Sequence, residues 1–367
     1  MARGLGPPPP LRWTSADGRW PSQRFGLAPF VPFIAVAAGI VPMLAYLAFI
    51  YWLDRYEREP WWLVGLVFLW GGFGGSIFGC LINSVLIGLF SSALGPEQAS
   101  WAGQLFVAPL VEEATKIVPL FLLIFHRHFD NATDGLIYGA ACGLGFAMTE
   151  NAFYFYHIGS SEGLLAMETN ILMRTCFTAL VHCAASASWG FFLGLGRYRG
   201  KLLQWVLLPP VGYAVAVGIH ALWNLSAIST QAGADIPLPV GPLTVVMVLA
   251  FLMFALTQAS LYLEHCLIKA ELEEEAELGL MPAQHARIIP FWLKRRRKGW
   301  LAAGIDQDRY VNAATLLAFR KSQARHATKD EATSLCSEVE QYRREVAGLL
   351  GSAGVSTDFI DFEGVGV

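Results

Sequence analysis

The stretch Val111-Glu112-Glu113-Ala114-Thr115-Lys116 lies inside an apolar run from about Trp101 to Phe125. A run of that length spans a bilayer as a helix, so two carboxylates and an ammonium fall near the middle of a membrane segment. One charge at that depth costs ~2.5–3.5 kcal/mol on insertion scales. Three of them need partners, and the rest of the chain supplies candidates. Only 15% of the 367 residues are charged and 54% are hydrophobic, with mean hydropathy +0.45, whereas soluble domains carry about 25% charge. The chain therefore reads as a polytopic, all-α membrane helix bundle. A net charge of −3 gives no argument for a nucleic-acid partner. The six cysteines show no C-x-x-C pairing, and five lie in or beside apolar runs; they read as packing residues rather than a disulfide or zinc framework.

Working outward, about seven spans are expected. Residues 1–28, with Pro7–Pro10 and four scattered arginines, read as a mobile tail. The transmembrane bundle then occupies 29–265. Its spans run from about 30 to 53, 61 to 90, 101 to 125, 132 to 156, 170 to 195, 202 to 228 and 239 to 263. The second is long and glycine-rich (Gly71, Gly72, Gly74, Gly75, Gly79), which predicts one tilted or kinked helix in close contact with neighbours. The linkers after spans one, three and five carry Arg55 and Arg58, Arg127, then Arg197, Arg199 and Lys201, whereas the alternate linkers carry no Lys or Arg. The positive-inside rule places the basic linkers in the cytoplasm of a cell membrane, and the C-terminal region with them. The N-terminal tail then falls outside, against the sense of its own arginines.

From 266 to 367 the character changes to a charged, partly helical cytoplasmic tail. An acidic run (Glu271, Glu273, Glu274, Glu275, Glu277) precedes the basic run Lys294-Arg295-Arg296-Arg297-Lys298, which Phe291, Trp292 and Trp300 flank. Such blocks read first as solvated faces; the basic one with its aromatics also suits an anionic leaflet. Residues 305–350 suit one or two amphipathic helices, and the last stretch reads as disordered.

The spans carry polar residues at matching depth. Glu112 and Lys116 are four apart and share a face, so they are expected to pair; Glu113 points about 100° away. Later spans contribute Glu150 and Asn151, then His182, then His220 and Asn224. At ~1.5 Å per residue, Glu112, Glu150, His182 and His220 all fall in the outer half of the bilayer, which predicts a single polar cavity. Asp134 reads as a helix-end residue and Arg174 as a snorkelling one. A lone His or Asn in a membrane is ordinarily an interhelical hydrogen-bond partner, but a set of this size suits chemistry. Peptide hydrolysis needs a base for water, donors for an oxyanion and an acid for the leaving amine. Proton-coupled transport uses the same residue types, although no internal repeat is evident, and a protease-dead scaffold could retain them. A zinc site of Glu and His ligands is chemically open but unprompted, since no H-E-x-x-H occurs; no cofactor is predicted.

Four motifs in order, Glu112-Glu113-x-x-Lys116, Phe146-x-x-x-Glu150-Asn151, His182 with Gly190, and His220-x-x-Trp223-Asn224, resemble those of the PrsW intramembrane proteases. The linker Asp54…Glu57-x-Glu59-Pro60 is similar to theirs as well, and the resemblance covers about residues 30–265. It implies a bacterial multi-pass glutamic-type peptidase, related to the CAAX prenyl endopeptidases, that cuts membrane-anchored proteins such as anti-sigma factors and releases a stress response. Carried over, Glu112 and Glu113 form the catalytic motif, with Glu112 as the base. Glu150 stands where the CAAX relatives have histidine and shares water activation, with Asn151 supporting it. His220 and Asn224 stabilise the oxyanion, His182 belongs to the pattern, and Lys116 orients a glutamate.

Overall fold

Helix is the only regular structure among the described residues. A computed structural model describes residues 28–54, 56–126, 128–197, 206–231, 240–327 and 329–355. The N-terminal tail to residue 27, the linker residues Arg55, Arg127, Arg199 and Lys201, the expected starts of spans six and seven, and the stretch from 356 lie outside them. The membrane part comprises α1 (Val31–Leu53), α2 (Trp61–Leu94), α3 (96–123), α4 (Ala132–Ser161), α5 (Leu164–Gly196), α6 (Leu208–Gln231) and α7 (Val240–Glu277). Five of these, α1, α2, α5, α6 and α7, are long and apolar enough to cross a membrane. The other two carry the polarity: α3 has three charges within six residues, and α4 is rich in Gly and carries Asp134, Glu150 and Asn151.

The expected single second span is α2, with a π-type turn at Trp70–Gly75. Two more such turns, at Gly103–Val107 in α3 and Arg174–Thr178 in α5, precede Glu112 and His182. Wide turns of this kind re-aim the residues after them and recur at functional sites.

α4 is the axis of the bundle. It starts with a capping box, in which Asn131 accepts from the Thr133 and Asp134 amides and Asp134 accepts from the Asn131 amide. From Ala132 to Met148 every residue is buried. Small residues permit this: a Cβ on Gly135, Gly139 or Gly143 would lie 1.9, 2.2 or 2.2 Å from the carbonyl oxygen of Gly190, Ser186 or His182 on α5. Helix backbones in lipid associate through such close approach. On its other side Gly145 meets Phe68 of α2 in the same way, at 1.9 Å. Phe33, Val41 and Phe49 of α1 point outward at 72, 64 and 57% exposure, as a lipid-facing surface requires.

α7 continues unbroken beyond residue 265 into a terminal module with α8 (Ala283–Ile288), α9 (Trp292–Arg295), α10 (Gln307–His326) and α11 (Lys329–Gly351). Ile268 and Leu272 of α7 share an apolar core with Leu317, Phe319, Val339 and Val346. The acidic run departs from the expected solvated face. Glu275 is fully buried and accepts both Arg343 Nη2 and Nε, at 2.7 and 2.9 Å, with Lys321 Nζ also at 2.7 Å. Glu271 and Glu274 take Arg325. Partners more than 40 residues away in sequence draw Glu271 and Glu275 inward, while Glu273, Glu274 and Glu277 stay half-exposed or exposed.

The module is clamped to the bundle by Arg320, which reaches Glu57 at 2.8 Å, Asp130 at 3.3 Å and Glu338 at 3.1 Å. Burial pushes the linker carboxyls Asp54 and Glu57 up to about 7 and Glu59 to about 8.

Candidate active site in the helix bundle

α3, α4, α5 and α6 bring the expected residues together around a cavity of about 350 Å³ lined by Glu112, Glu150, His182, His220 and Asn224, with Arg174 at its wall. The two adjacent glutamates separate by environment. Glu113 is wholly buried behind the cavity: its Oε1 is 2.7 Å from Lys116 Nζ and 2.9 Å from His220 Nδ1, and its Oε2 accepts from Ser186 at 3.4 Å. Glu112 instead borders the cavity, held by Asn83 Nδ2 at 3.1 Å and facing His220 Nε2 at 3.8 Å.

The expected Glu112–Lys116 pair is therefore corrected to Glu113–Lys116. Residues three apart share a helical face as well as those four apart, and packing decided between them. Lys116, 1% exposed, points to the α5 side, where His182 and Ser186 wait, and its ammonium rests 3.9 Å above the Phe146 ring. That cation–π contact accounts for Phe146 in its motif.

Hydrogen bonding fixes the protons of His182. An ammonium has donors only, so Nδ1, 3.1 Å from Lys116 Nζ, accepts. Nε2 then carries the hydrogen and donates to Glu150 Oε2 at 2.7 Å. Both nitrogens are committed, and His182 relays from Lys116 to Glu150 rather than standing free as a base. His220 lies edge-on to it at 4.9 Å. It donates Nδ1–H to Glu113 and turns Nε2 to the cavity.

Arg174 does not snorkel. Its Nη2 meets Glu150 at 2.7 Å, its Nε donates to Asn151 Oδ1 at 2.8 Å, and its guanidinium stacks 3.9 Å over Tyr154. Asn151 is thus placed through Arg174. Asn224 gives one amide hydrogen to the Gln104 carbonyl at 2.9 Å, inside the π-type turn of α3, which leaves the second for the cavity. Gly190 is a packing residue, against Gly135. Asn83 was missed from sequence; its signal was a lone amide in the apolar run of α2.

Glu113, His182 and His220 present ligand atoms within 4.8 Å of one another. One carboxylate and two imidazoles match the ligand types of a catalytic zinc set. The set fits on one condition: the Lys116 ammonium, already between Glu113 and His182, must withdraw to admit a divalent ion.

A sequence profile described as PrsW family intramembrane metalloprotease matches residues 59–257, just over half of the chain. The chain belongs to the PrsW family. As a PrsW-family member it is a peptidase with membrane-embedded helices. Among its relatives are proteins named Protease PrsW from Geobacillus kaustophilus, 30% identical with 52% of this chain and 88% of the relative covered, and from Bacillus subtilis, 29% identical with 49% and 77% covered. A third, from Clostridioides difficile, is 32% identical with 47% and 72% covered. No solved structure matches. The matched span of this PrsW-family chain holds every candidate site residue and stops short of the terminal module.

Proposed function

We propose that the chain cleaves membrane-anchored proteins, of the anti-sigma-factor kind, at a site within a bundle of seven membrane-crossing helices, with the terminal module on the cytoplasmic side. Two further crossings, α3 and α4, are added to the five apolar ones because Glu112 and Glu150 line one shared cavity. The observation that carries the catalytic reading is the division of labour between the adjacent glutamates. Only Glu112 borders the cavity, while Glu113 is spent on Lys116 and His220.

Glu112 takes a proton from water as the oxygen attacks the scissile carbonyl, and later returns it to the departing amine. The tetrahedral oxyanion lies against the remaining Asn224 amide hydrogen and His220 Nε2, which donates in its imidazolium form. Glu113 holds His220 in that orientation, as a buried carboxylate does for a catalytic imidazole. Lys116, His182, Glu150 and Arg174 form the charge-compensated wall that keeps these groups in a low-dielectric site. If a divalent ion is bound, Glu113, His182 and His220 would hold it, and it would supply Lewis acidity toward water or the carbonyl.

The test compares the membrane proteomes of cells carrying the wild type or Glu112→Gln. Single-span proteins should accumulate uncut in the variant, and their shortened forms should be absent. Unchanged processing, or substrate-driven proton flux in proteoliposomes without cleavage, would overturn the reading in favour of transport.

A further inference from the structure

The segment 290–298 is fixed beside the end of α1 and the stretch of α7 around residue 265. The Pro290 carbonyl accepts from Tyr56 of the α1–α2 linker at 2.8 Å and lies 2.9 Å from Nδ1 of His265 on α7. The Phe291 ring meets the His265 ring edge-on at 4.6 Å, and Arg295 is buried over Tyr56. Trp52, at the end of α1 and 54% exposed, shares a crevice with Trp292. Indole rings of this kind settle at the headgroup level.

What the segment then presents outward is apolar and cationic together. Leu293 is 71% exposed and Phe291 41%. Lys294, Arg296, Arg297 and Lys298 are exposed beside them. Among the described residues the ion pairs of the module and of α7 engage Lys269, Arg309, Arg320, Lys321, Arg325 and Arg343 and none of these four. The Lys294 and Arg296 charges lie over the Phe291 and Trp292 rings, at 4.0 and 4.7 Å, so the cations rim the apolar tip. Exposed large apolar residues ringed by Lys and Arg fit an interface between acyl chains and anionic headgroups.

We infer that Phe291 and Leu293, with Lys294, Arg296, Arg297 and Lys298, dock the terminal module onto anionic lipid of the leaflet beside the α1–α2 linker. The module is thereby held against the membrane at two places, through Arg320 to the bundle and through this segment to lipid. Each basic side chain near an anionic surface strengthens such binding about fivefold, so four of them make the contact dependent on lipid charge.

The experiment places the photo-crosslinking residue benzoylphenylalanine at position 293 of the full chain. Nanodiscs of phosphatidylcholine are compared with nanodiscs containing phosphatidylglycerol, and hydrogen exchange over 291–298 is followed in both. Phospholipid adducts and amide protection should rise severalfold with phosphatidylglycerol. Changing the four exposed basic residues to Gln should remove that rise while cleavage of a soluble-tailed reporter continues. Adducts and protection indifferent to lipid charge, or adducts formed between two copies of the chain, would overturn the inference.

Discussion

The roles of Glu112 and Glu113 follow from one helical step of about 100°, which sends one side chain to the cavity and the other behind it. Glu113→Gln leaves the Lys116 ammonium buried without its carboxylate, and breaking a buried pair from one side costs about 3–5 kcal/mol. A thermal melt of the reconstituted protein should therefore fall well below wild type, whereas Glu112→Gln should melt normally. Asn83 donates to Glu112 from α2 and acts by positioning it. Asn83→Ala should lower kcat by roughly ten- to a hundredfold with little change in KM, and a shifted pH–rate profile should accompany the loss. Lys116 occupies the place between two of the three candidate metal ligands. Lys116→Met should raise bound zinc, by elemental analysis, above the wild-type level; equal content in the two would remove the competition. The glutamates, histidines and Asn224 were legible in the sequence because polar side chains in apolar runs have few innocent explanations. Asn83 and Arg174 were not, because an amide or a guanidinium has a plausible neutral or snorkelling role until its partner is seen.

At the scale of elements, the site depends on how closely α4 and α5 approach. A Cβ on Gly143 would meet the His182 carbonyl at 2.2 Å, so the helices must part at the residue that links Lys116 to Glu150. Gly143→Ala should cost about 1–3 kcal/mol by overpacking and reduce cleavage with it. Gly218 lies on α6 two residues before His220 and has nothing within 4 Å; Gly218→Ala is the matched control and should leave melting and cleavage unchanged. The five apolar helices were readable from hydropathy. The spacing of Gly135, Gly139 and Gly143 carried the packing signal, four residues apart on one face, but only the neighbouring helix reveals which carbonyls they meet. The three π-type turns had no evident sequence signature, since they arise from how the flanking helices pack.

At the scale of the molecule, the terminal module and the bundle meet through buried acids. Asp54, Glu57 and Glu59 lie with Asp130, Asp134 and Glu264 near Arg320 and Glu338. Desolvation raises the linker carboxyls to about 7 to 8 from ordinary values near 4. A raised folded-state value means the folded form holds the proton more tightly, so the stability this contributes is full below about pH 4 and is lost as pH rises through 7 to 8. Hydrogen exchange at 54–60 and 307–326 should accordingly quicken between pH 6 and pH 8.5, after correction for the intrinsic rate; constant protection would contradict the sign. This clamp was illegible in the sequence, because Arg320 and Glu57 are 263 positions apart and nothing local links them. The proposed cleavage rests on Glu112 as the group that activates water. Its most direct test is kcat for one membrane-anchored reporter in nanodiscs, wild type against Glu112→Gln, with melting temperatures recorded for both. A loss of at least about a hundredfold at unchanged melting temperature is predicted; cleavage within a few-fold of wild type would contradict it.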